Sequence, residues 1–561
     1  MSTPSSLRPR DVARTPIAGG RPIDRAVATR DERVVEHSSG SPSLALSFMP
    51  AAVAGGLAIL AVVRGWRGSD LPAHLFRVHI IERDGFEIWN NYWYGGHHTL
   101  GYGFAFPVLG AVFGIWTVAV ASAALSAFAV DRLVIAATGR RNGGWASLWF
   151  AVGTLTNVAI GRLPFALGLT VGLIAILAAR HRSILPAALA AAAAAAASPV
   201  ASAFLAVIFT AWAIVEPGQR RFFAGLASAS IAPLVLIALL YPQGGTFPFR
   251  WPTVLWTVVV CTLVRLLVPA EQRLVRMTAG VYGLAAAMAF VVPNPLGSNI
   301  TRLGMYAAGP VLLTVVPVRR WAMASLVPLL LWWQWSPAFD AMARAGGDPS
   351  TAEAYYAPLR GFLHSVDAGT GRVEVVPTWR HWEVAYVAVD IPIARGWKRQ
   401  LDRRFHPLFY EPGLTADDYH TWLLENGVEY VALPDVALDA SGKEEEALLE
   451  GDLSFLRPVF ASDHWRVWEV IDSPGLVDGP AELIDVDTET LRLRVLERGD
   501  VVVRVHASAF WASDPASCIE PTADGWMVLR DVQPGVVDVF LDETDLLRLD
   551  DPCASAPQGA P

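Results

Sequence analysis

Between Leu44 and Trp335 the chain repeats one pattern, apolar runs of about 15 to 25 residues parted by short polar loops. In lipid, runs of that length satisfy their backbone groups only as helices. The pattern therefore constrains the fold to a polytopic α-helical membrane bundle. The candidate spans are Leu44–Val63, Phe104–Val130, Trp145–Ile160, Leu163–Ala179, Ile184–Ala197, Val200–Val215, Phe222–Leu240, Val254–Val268, Met277–Val292, Leu303–Val316 and Trp321–Trp335, about eleven in all. Hydrophobic residues make up 53% of the 561-residue chain and charged residues 17%, and the apolar excess is concentrated in these runs. Ser198-Pro199 interrupts the stretch from Ile184 to Val215, which reads either as a hairpin or as one long kinked helix.

Charge in the loops sets an orientation. Paired arginines follow every second span: Arg140 and Arg141, Arg180 and Arg182, Arg220 and Arg221, Arg273 and Arg276, Arg319 and Arg320. The later intervening loops carry single arginines, Arg162, Arg250 and Arg302. Lys/Arg excess marks the cytoplasmic side, so the N-terminus is expected inside and the C-terminal region outside. The first 43 residues are rich in Arg, Ser and Pro without apolar periodicity and read as a disordered cytoplasmic leader. A cleaved signal peptide is not expected, because VVRGW at the end of the first run offers no small-residue cleavage site.

From Asp340 the text changes. The segment 340–472 reads as a mixed α/β domain outside the membrane domain of 44–339. The stretch RVEVVPTWRHWEVAYVA suggests a strand, and Thr415 to Asn426 a helix, with Thr415 as N-cap, Asp417 and Asp418 in its first turn and Gly427 as stop. Val428–Pro434 and His464–Asp472 read as strands. Beyond a Pro/Gly junction the region 473–561 is nearly all strand, a small β-sandwich over Ala481–Leu549 and a tail. Of three cysteines, Cys518 and Cys553 both lie here; they read either as a bridge or as two unpaired thiols. A net charge of −8 without a basic face argues against a nucleic-acid partner.

The large first outer loop, 64–103, concentrates chemistry beside the bilayer: Asp70, His74, Arg77, Glu82, Asp84, Trp89, Trp93, His97 and His98. Ionisable groups there are costly to hold without a use. With an inside N-terminus, an acidic residue near the start of that loop, many spans and an outer C-terminal domain, the chain resembles the GT-C glycosyltransferase superfamily. SDLPAHLFRVHIIERDGFEIWNNYWYGG, with VEVVPTWRHWEVAYVA, ARGWKRQLDRRFHPLFY and WLLENGVEYVALPD, more closely resembles actinobacterial multi-span proteins named for a relation to 6-pyruvoyl-tetrahydropterin synthase. The GT-C resemblance implies a glycosyltransferase of the bacterial cytoplasmic membrane. It would take a sugar from a polyprenyl-phosphate donor and pass it to an envelope glycan, lipid or protein on the outer face, with membrane lipids as further partners. Many members carry two adjacent acidic residues where this chain has Asp70 between Ser69 and Leu71. No cofactor is fixed by the sequence; a divalent metal is one the resemblance allows, with no ligand set assigned.

Each candidate residue has a plainer reading beside it. Asp70 is the expected catalytic carboxylate, taking the acceptor's proton; Ser69-Asp70-Leu71-Pro72 is equally a helix start, with Asp70 as N-cap. His74 lies one helical turn on, a substrate-binding candidate or one exposed face of an interfacial helix. Arg77 follows on the same segment as a further binding candidate. Trp89 and Trp93 stack on sugar or belt the interface. His97, beside His98, lines a sugar site or sits on a surface loop. Arg302 pairs with a lipid phosphate or snorkels, and Arg162 is read as snorkelling. His381, Glu383, Arg395, Trp397 and Arg399 are read as interface residues where the tail packs on the membrane domain. The rivals to a glycosyltransferase are a transporter or lipid flippase, which predicts polar residues near the midplane of spans that here show little charge beyond Arg265, and a non-catalytic envelope-assembly protein, which predicts tolerance of Asp70→Asn. The chain has no phosphate-cradling glycine loop, CxxC, HExxH or GxSxG, so nothing suggests an ATPase.

Overall fold

Apolar runs become helices where their composition leads one to expect them, and the departures fall at glycine, serine and threonine. The computed structural model describes residues 44–138, 144–242, 244–315, 320–345, 347–542 and 553. The leader and Arg140, Arg141 and Arg319 lie outside the described residues. The helical region comprises α1 (Leu44–Val63), α2 (Leu71–Asp84), α3 (Ala105–Phe113), α4 (Ile115–Thr138), α5 (Gly144–Gly153), α6 (Leu155–Ile160) and α7 (Leu163–Arg180). It continues with α8 (Ile184–Ala197), α9 (Pro199–Val215), α10 (Arg220–Leu240), α11 (Trp251–Leu267), α12 (Arg273–Val291), α13 (Arg302–Val315) and α14 (Arg320–Ala345).

The expected span Phe104–Val130 is two helices, because Gly114 at φ +83° turns the chain between α3 and α4. Helix α4 then runs on to Thr138 and takes in Asp131 and Arg132, paired at 2.6 Å, charges the expected span left out. Trp145–Ile160 breaks at Thr154 into α5 and α6. The ambiguous stretch resolves into α8 and α9, parted at Ser198, whose hydroxyl accepts from Ala201 N as an N-cap. Among the described residues four helices are long and apolar enough to cross a membrane, Ile115–Thr138, Leu163–Arg180, Pro217–Leu240 and Arg273–Val291, against the eleven or so expected from apolar runs. Five shorter apolar stretches accompany them: Phe48–Val63, Gly144–Ile160, Ile184–Ala197, Pro199–Val215 and Trp251–Leu267.

The described residues from Phe48 onward form one compact unit. In the first loop, β1 (Trp89–Asn90) pairs antiparallel with β2 (His97–His98). The tail opens with α15 (Glu353–Ser365) and β3 (Arg372–Val375), followed by α16 (Glu383–Tyr386), α17 (Arg399–Phe405) and α18 (Ala416–Glu425). Then come β4 (Val428–Pro434), α19 (Lys443–Leu449), β5 (Leu456–Ala461) and β6 (Trp465–Val470). Helix α18 starts where Thr415 caps Asp418 N, and Gly427 at φ +61° turns the chain into β4. The sheet order is β3-β4-β6-β5, with β3 parallel to β4 and the other pairs antiparallel. The strand expected along RVEVVPTWRHWEVAYVA ends at Val375; its second half is a turn and the short α16.

The last strands are β7 (Val477–Asp478), β8 (Ala481–Val486), β9 (Thr490–Val495), β10 (Gly499–His506), β11 (Trp511–Asp514), β12 (Cys518–Pro521), β13 (Trp526–Val532) and β14 (Gly535–Leu541). They form two four-stranded sheets, β12-β13-β10-β7 and β11-β14-β9-β8. Alternate residues of both sheets, among them Leu493, Val503, Leu529 and Val539, share one core. Cys518 and Cys553 are joined in a disulfide.

The first loop is threaded between the two parts of the tail. Ile393 N donates to Tyr92 O at 2.9 Å on one side, and His506 N to Gly95 O at 2.7 Å on the other. Trp89 belongs to the β-sandwich core, 5.6 Å from Trp511, and Trp93 stacks on Phe76 at 4.4 Å in the core beneath the α/β part.

Candidate active site

Backbone packing fixes Asp70. The turn Gly68–Leu71 lies against the end of α6: Asp70 N donates to Ile160 O at 3.0 Å. The approach needs glycine on both sides. A Cβ on Gly68 would sit 2.2 Å from Ile160 C and O, and one on Gly161 would sit 2.5 Å from Leu71 N. Asp70 occupies the N-cap position of α2, yet its side chain makes no capping hydrogen bond. Ser69 Oγ donates to one carboxylate oxygen at 3.3 Å, and Arg162 Nε stands 3.7 Å from the other, longer than a hydrogen bond. The carboxylate is therefore not used up in holding the helix.

Asp70 faces a cavity of 420 Å³. One wall comes from the helical region and first loop, with Tyr102, Arg162 and Arg302. The other comes from the tail, with Arg380, His381, Trp397, Arg399 and Asp439. Two bonds tie the walls together just before Asp70: Arg380 Nη1 donates to Arg67 O at 3.0 Å, and Trp397 Nε1 to Ser69 O at 2.8 Å.

Charge is arranged differently on the two walls. On the tail wall every cation has a carboxylate: Arg399 clasps Asp439 through both nitrogens at 2.7 and 2.6 Å, Arg380 Nε meets Asp348 at 3.1 Å, and His381 Nδ1 meets Glu383 at 3.1 Å. Burial opposes charge on His381, but its bonds to Asp439 and Glu383 outweigh that and raise it to about 9, so the ring is an imidazolium at neutral pH. Burial also works against Asp439, yet His381 and Arg399 hold its carboxyl far below the usual range. On the helical wall, Arg302 donates to the neutral Asn299 Oδ1 at 2.6 Å, lies over the Phe165 ring at 5.1 Å, and forms no ion pair among the described residues. Tyr102 is pushed up to about 12 by burial and then by the Asp70 charge.

A second, apolar space of 260 Å³ runs between α4, α7, α9 and α13, lined by Phe165, Leu169, Phe204, Tyr306 and Arg302. Arg302 thus belongs to both: the apolar groove and the polar cavity adjoin at this residue.

Of the residues expected to act on substrate, Asp70 and Arg302 line this cavity, and His74, Arg77, Trp89, Trp93 and His97 do not. His74 is not on an exposed face. It is 1% exposed, between Tyr102 and Phe106, because tail and spans cover α2 on nearly every side. Arg77 is buried and donates to Gly103 O and Thr99 O, bracing the loop. His97 and His98 are not surface loop residues; both are buried at the β1–β2 pairing. Trp89 and Trp93 neither belt an interface nor face a sugar site, since both are core residues under the tail. Arg162 does not snorkel; it points at Asp70. His381, Trp397 and Arg399 are cavity wall rather than plain interface, with Glu383 beneath His381. Arg395 is buried against Asp402, at 2.7 Å, away from the cavity. Sequence reading passed over Arg380 and Asp439; the run Trp379-Arg380-His381-Trp382 was the available signal for the first, and nothing local marked the second.

Among the described residues no three metal-ligating side chains converge in the cavity; the one such group is Cys518, Glu520 and Cys553, in the β-sandwich, where the cysteines are tied to each other.

No family model matches the chain, and no curated protein matches it, so the likeness to the pterin-synthase-related proteins gains no support. Among solved structures, the arabinofuranosyltransferase AftD from mycobacteria, seen by single-particle cryo-electron microscopy, aligns at 17% identity. The match covers 79% of this chain and 43% of that one, with a TM-score of 0.42, below what a shared fold requires. The chain therefore spans under half the length of that protein.

Proposed function

We propose that the protein is a multi-pass membrane glycosyltransferase of GT-C type that transfers a sugar from a polyprenyl-phosphate donor to an acceptor of the cell envelope. One observation carries this reading: an apolar groove and a polar cavity share Arg302, which has no acidic partner among the described residues, and the same cavity holds the Asp70 carboxylate with Arg162 3.7 Å from it. An amphiphile with an anionic head fits that arrangement. Its chain lies in the groove and its phosphate pairs with Arg302 and Arg162. The sugar then projects into the cavity against Trp397, His381 and Arg399.

In the reaction an acceptor hydroxyl attacks the anomeric carbon, and the bond from that carbon to the phosphate oxygen breaks. Asp70 takes the hydroxyl proton. The lipid phosphate leaves with the bonding pair, its charge met by the two arginines. The buried His74, Arg77, Trp89, Trp93 and His97 serve this site by shaping the first loop, not by touching substrate.

The same reading takes 44–339 as the membrane domain, with about eleven spans, and assigns 340–472 and 473–561 to the extracytoplasmic side of the bacterial cytoplasmic membrane. Arginine alternation supports that orientation. So does the Cys518–Cys553 disulfide, a bond at home in an oxidising compartment. The test is mass spectrometry of lipids that co-purify with the full-length protein in mild detergent. A polyprenyl-phosphate sugar is expected in wild type and depleted in Arg302→Gln. Preparations with only bulk phospholipid in both would sink the proposal.

A further inference from the structure

Lys398 stands between Trp397 and Arg399 in the chain, but its side chain lines a different space, a cavity of 30 Å³ on the far side of Tyr102. Arg77, Glu87, Asn90, His97 and Thr99 complete the polar part of the lining, and Phe76 and Trp93 contribute apolar rings. Three pieces of chain converge there: α2, the first loop and the tail.

The charges in this cavity do not balance. Lys398 is 5% exposed, and among the described residues no carboxylate comes within ion-pair distance of its ammonium. Arg77 is 7% exposed and its acceptors are two neutral carbonyls, Gly103 O at 3.1 Å and Thr99 O at 3.3 Å. Glu87 pairs with neither. His97 adds no compensating charge. Burial, and then the Lys398 charge, hold its pKa well below the ordinary value, so it stays neutral. An unpaired buried cation is costly, and two side by side repel each other as well. The Lys398 ammonium feels both effects, burial first and then Arg77.

We infer that Lys398 and Arg77 hold a monatomic anion of the halide class, chloride in practice, which locks the tail to the first loop. The two cations call for an anion, and a cavity of 30 Å³, far smaller than the 420 Å³ beside Asp70, favours a compact one. The ion neutralises the pair of cations and joins α2 to the segment that carries Trp397 and Arg399. It acts as a structural clip behind the Asp70 cavity, and it stands or falls independently of any transferase activity.

The experiment is thermal melting of the full-length protein in detergent at constant ionic strength, with chloride replaced stepwise by gluconate, which is too large to enter. Chloride should raise the melting temperature saturably, by about 2 °C at a hundredfold excess over its dissociation constant. Bromide should substitute for it. Lys398→Met, similar in shape and uncharged, should melt identically in chloride and gluconate. Coincident wild-type curves would overturn the inference and mean that Lys398 is held as the free amine. So would a Lys398→Met protein that keeps the wild-type chloride response. If that variant does not fold, line broadening of the chloride-35 resonance by wild type decides. Broadening that bromide competes away supports the site, and a line unchanged by protein removes it.

Discussion

The two walls of the Asp70 cavity carry similar side chains and treat them in opposite ways. On the tail wall Arg399, Arg380 and His381 are each matched to a carboxylate of the tail itself. On the helical wall Arg302 has an amide and an aromatic ring, and Arg162 has Asp70 at the edge of contact. A cation paired within the protein mainly holds structure, whereas one left with neutral partners retains its attraction for an outside anion. The contrast separates the half of the cavity that keeps its shape from the half that can take hold of a charged ligand.

The strongest way to break this comparison is Asp70→Asn. The carboxylate caps nothing, so melting should be unchanged, while loss of a general base should lower the transfer rate by about 100- to 10,000-fold. A variant as active as wild type would reduce Asp70 to a bystander. Next comes Arg302→Gln. Removal of a charge-assisted contact should weaken donor binding by about 10- to 100-fold, read as a rise in KM, with little change in stability because no internal ion pair is lost. A fall in melting temperature with unaltered KM would reverse the assignment of the walls.

Asp439→Asn should do the converse. It leaves Arg399 and His381 short of their carboxylate and should cost about 1–3 kcal/mol in denaturant unfolding. The smallest effect concerns pH. His381 is raised in the folded protein to about 9 from an ordinary 6.5. Its stabilising contribution is therefore complete below pH 6.5 and is lost as pH rises through about 9. Melting temperature should decline across that window in wild type and decline less in His381→Gln. Equal slopes would show that the ring is not the titrating group.

Local pattern carried much of the fold. The bounds of α1, α8 and β4 match the runs Leu44–Val63, Ile184–Ala197 and Val428–Pro434, and Thr415 caps the helix it was expected to cap. Hydrophobic period and capping chemistry act over a few residues, so a sequence displays them. Breaks such as Gly114 and Thr154 are less visible, since a glycine or threonine inside an apolar run is tolerated as often as it ends a helix. Of the site, Asp70 and Arg302 were legible because each is an ionisable group at the edge of an apolar run, Asp70 just past the first and Arg302 at the entrance to a later one. The tail wall was not. Trp397 reaches Ser69 across 328 residues, and no local pattern encodes that encounter. The histidines and tryptophans of the first loop were misplaced for a related reason. A ring packed under a soluble domain and a ring at a membrane interface have the same local sequence, and only the tail's position tells them apart.

The contact at Gly68 and Gly161 has a bearing on what the chain can tolerate by way of insertions and deletions. Because Asp70 takes its place from Ile160, its location is referenced to the end of α6 and not to the loop that follows it. Residues could be added at the exposed turn around Phe86 without shifting the carboxylate. A single methyl group at position 68 or 161 would shift it, because the backbone opposite has nowhere to go. Tolerance to change is thus reversed from what the words loop and helix suggest, with slack in the middle of the long loop and none at its root.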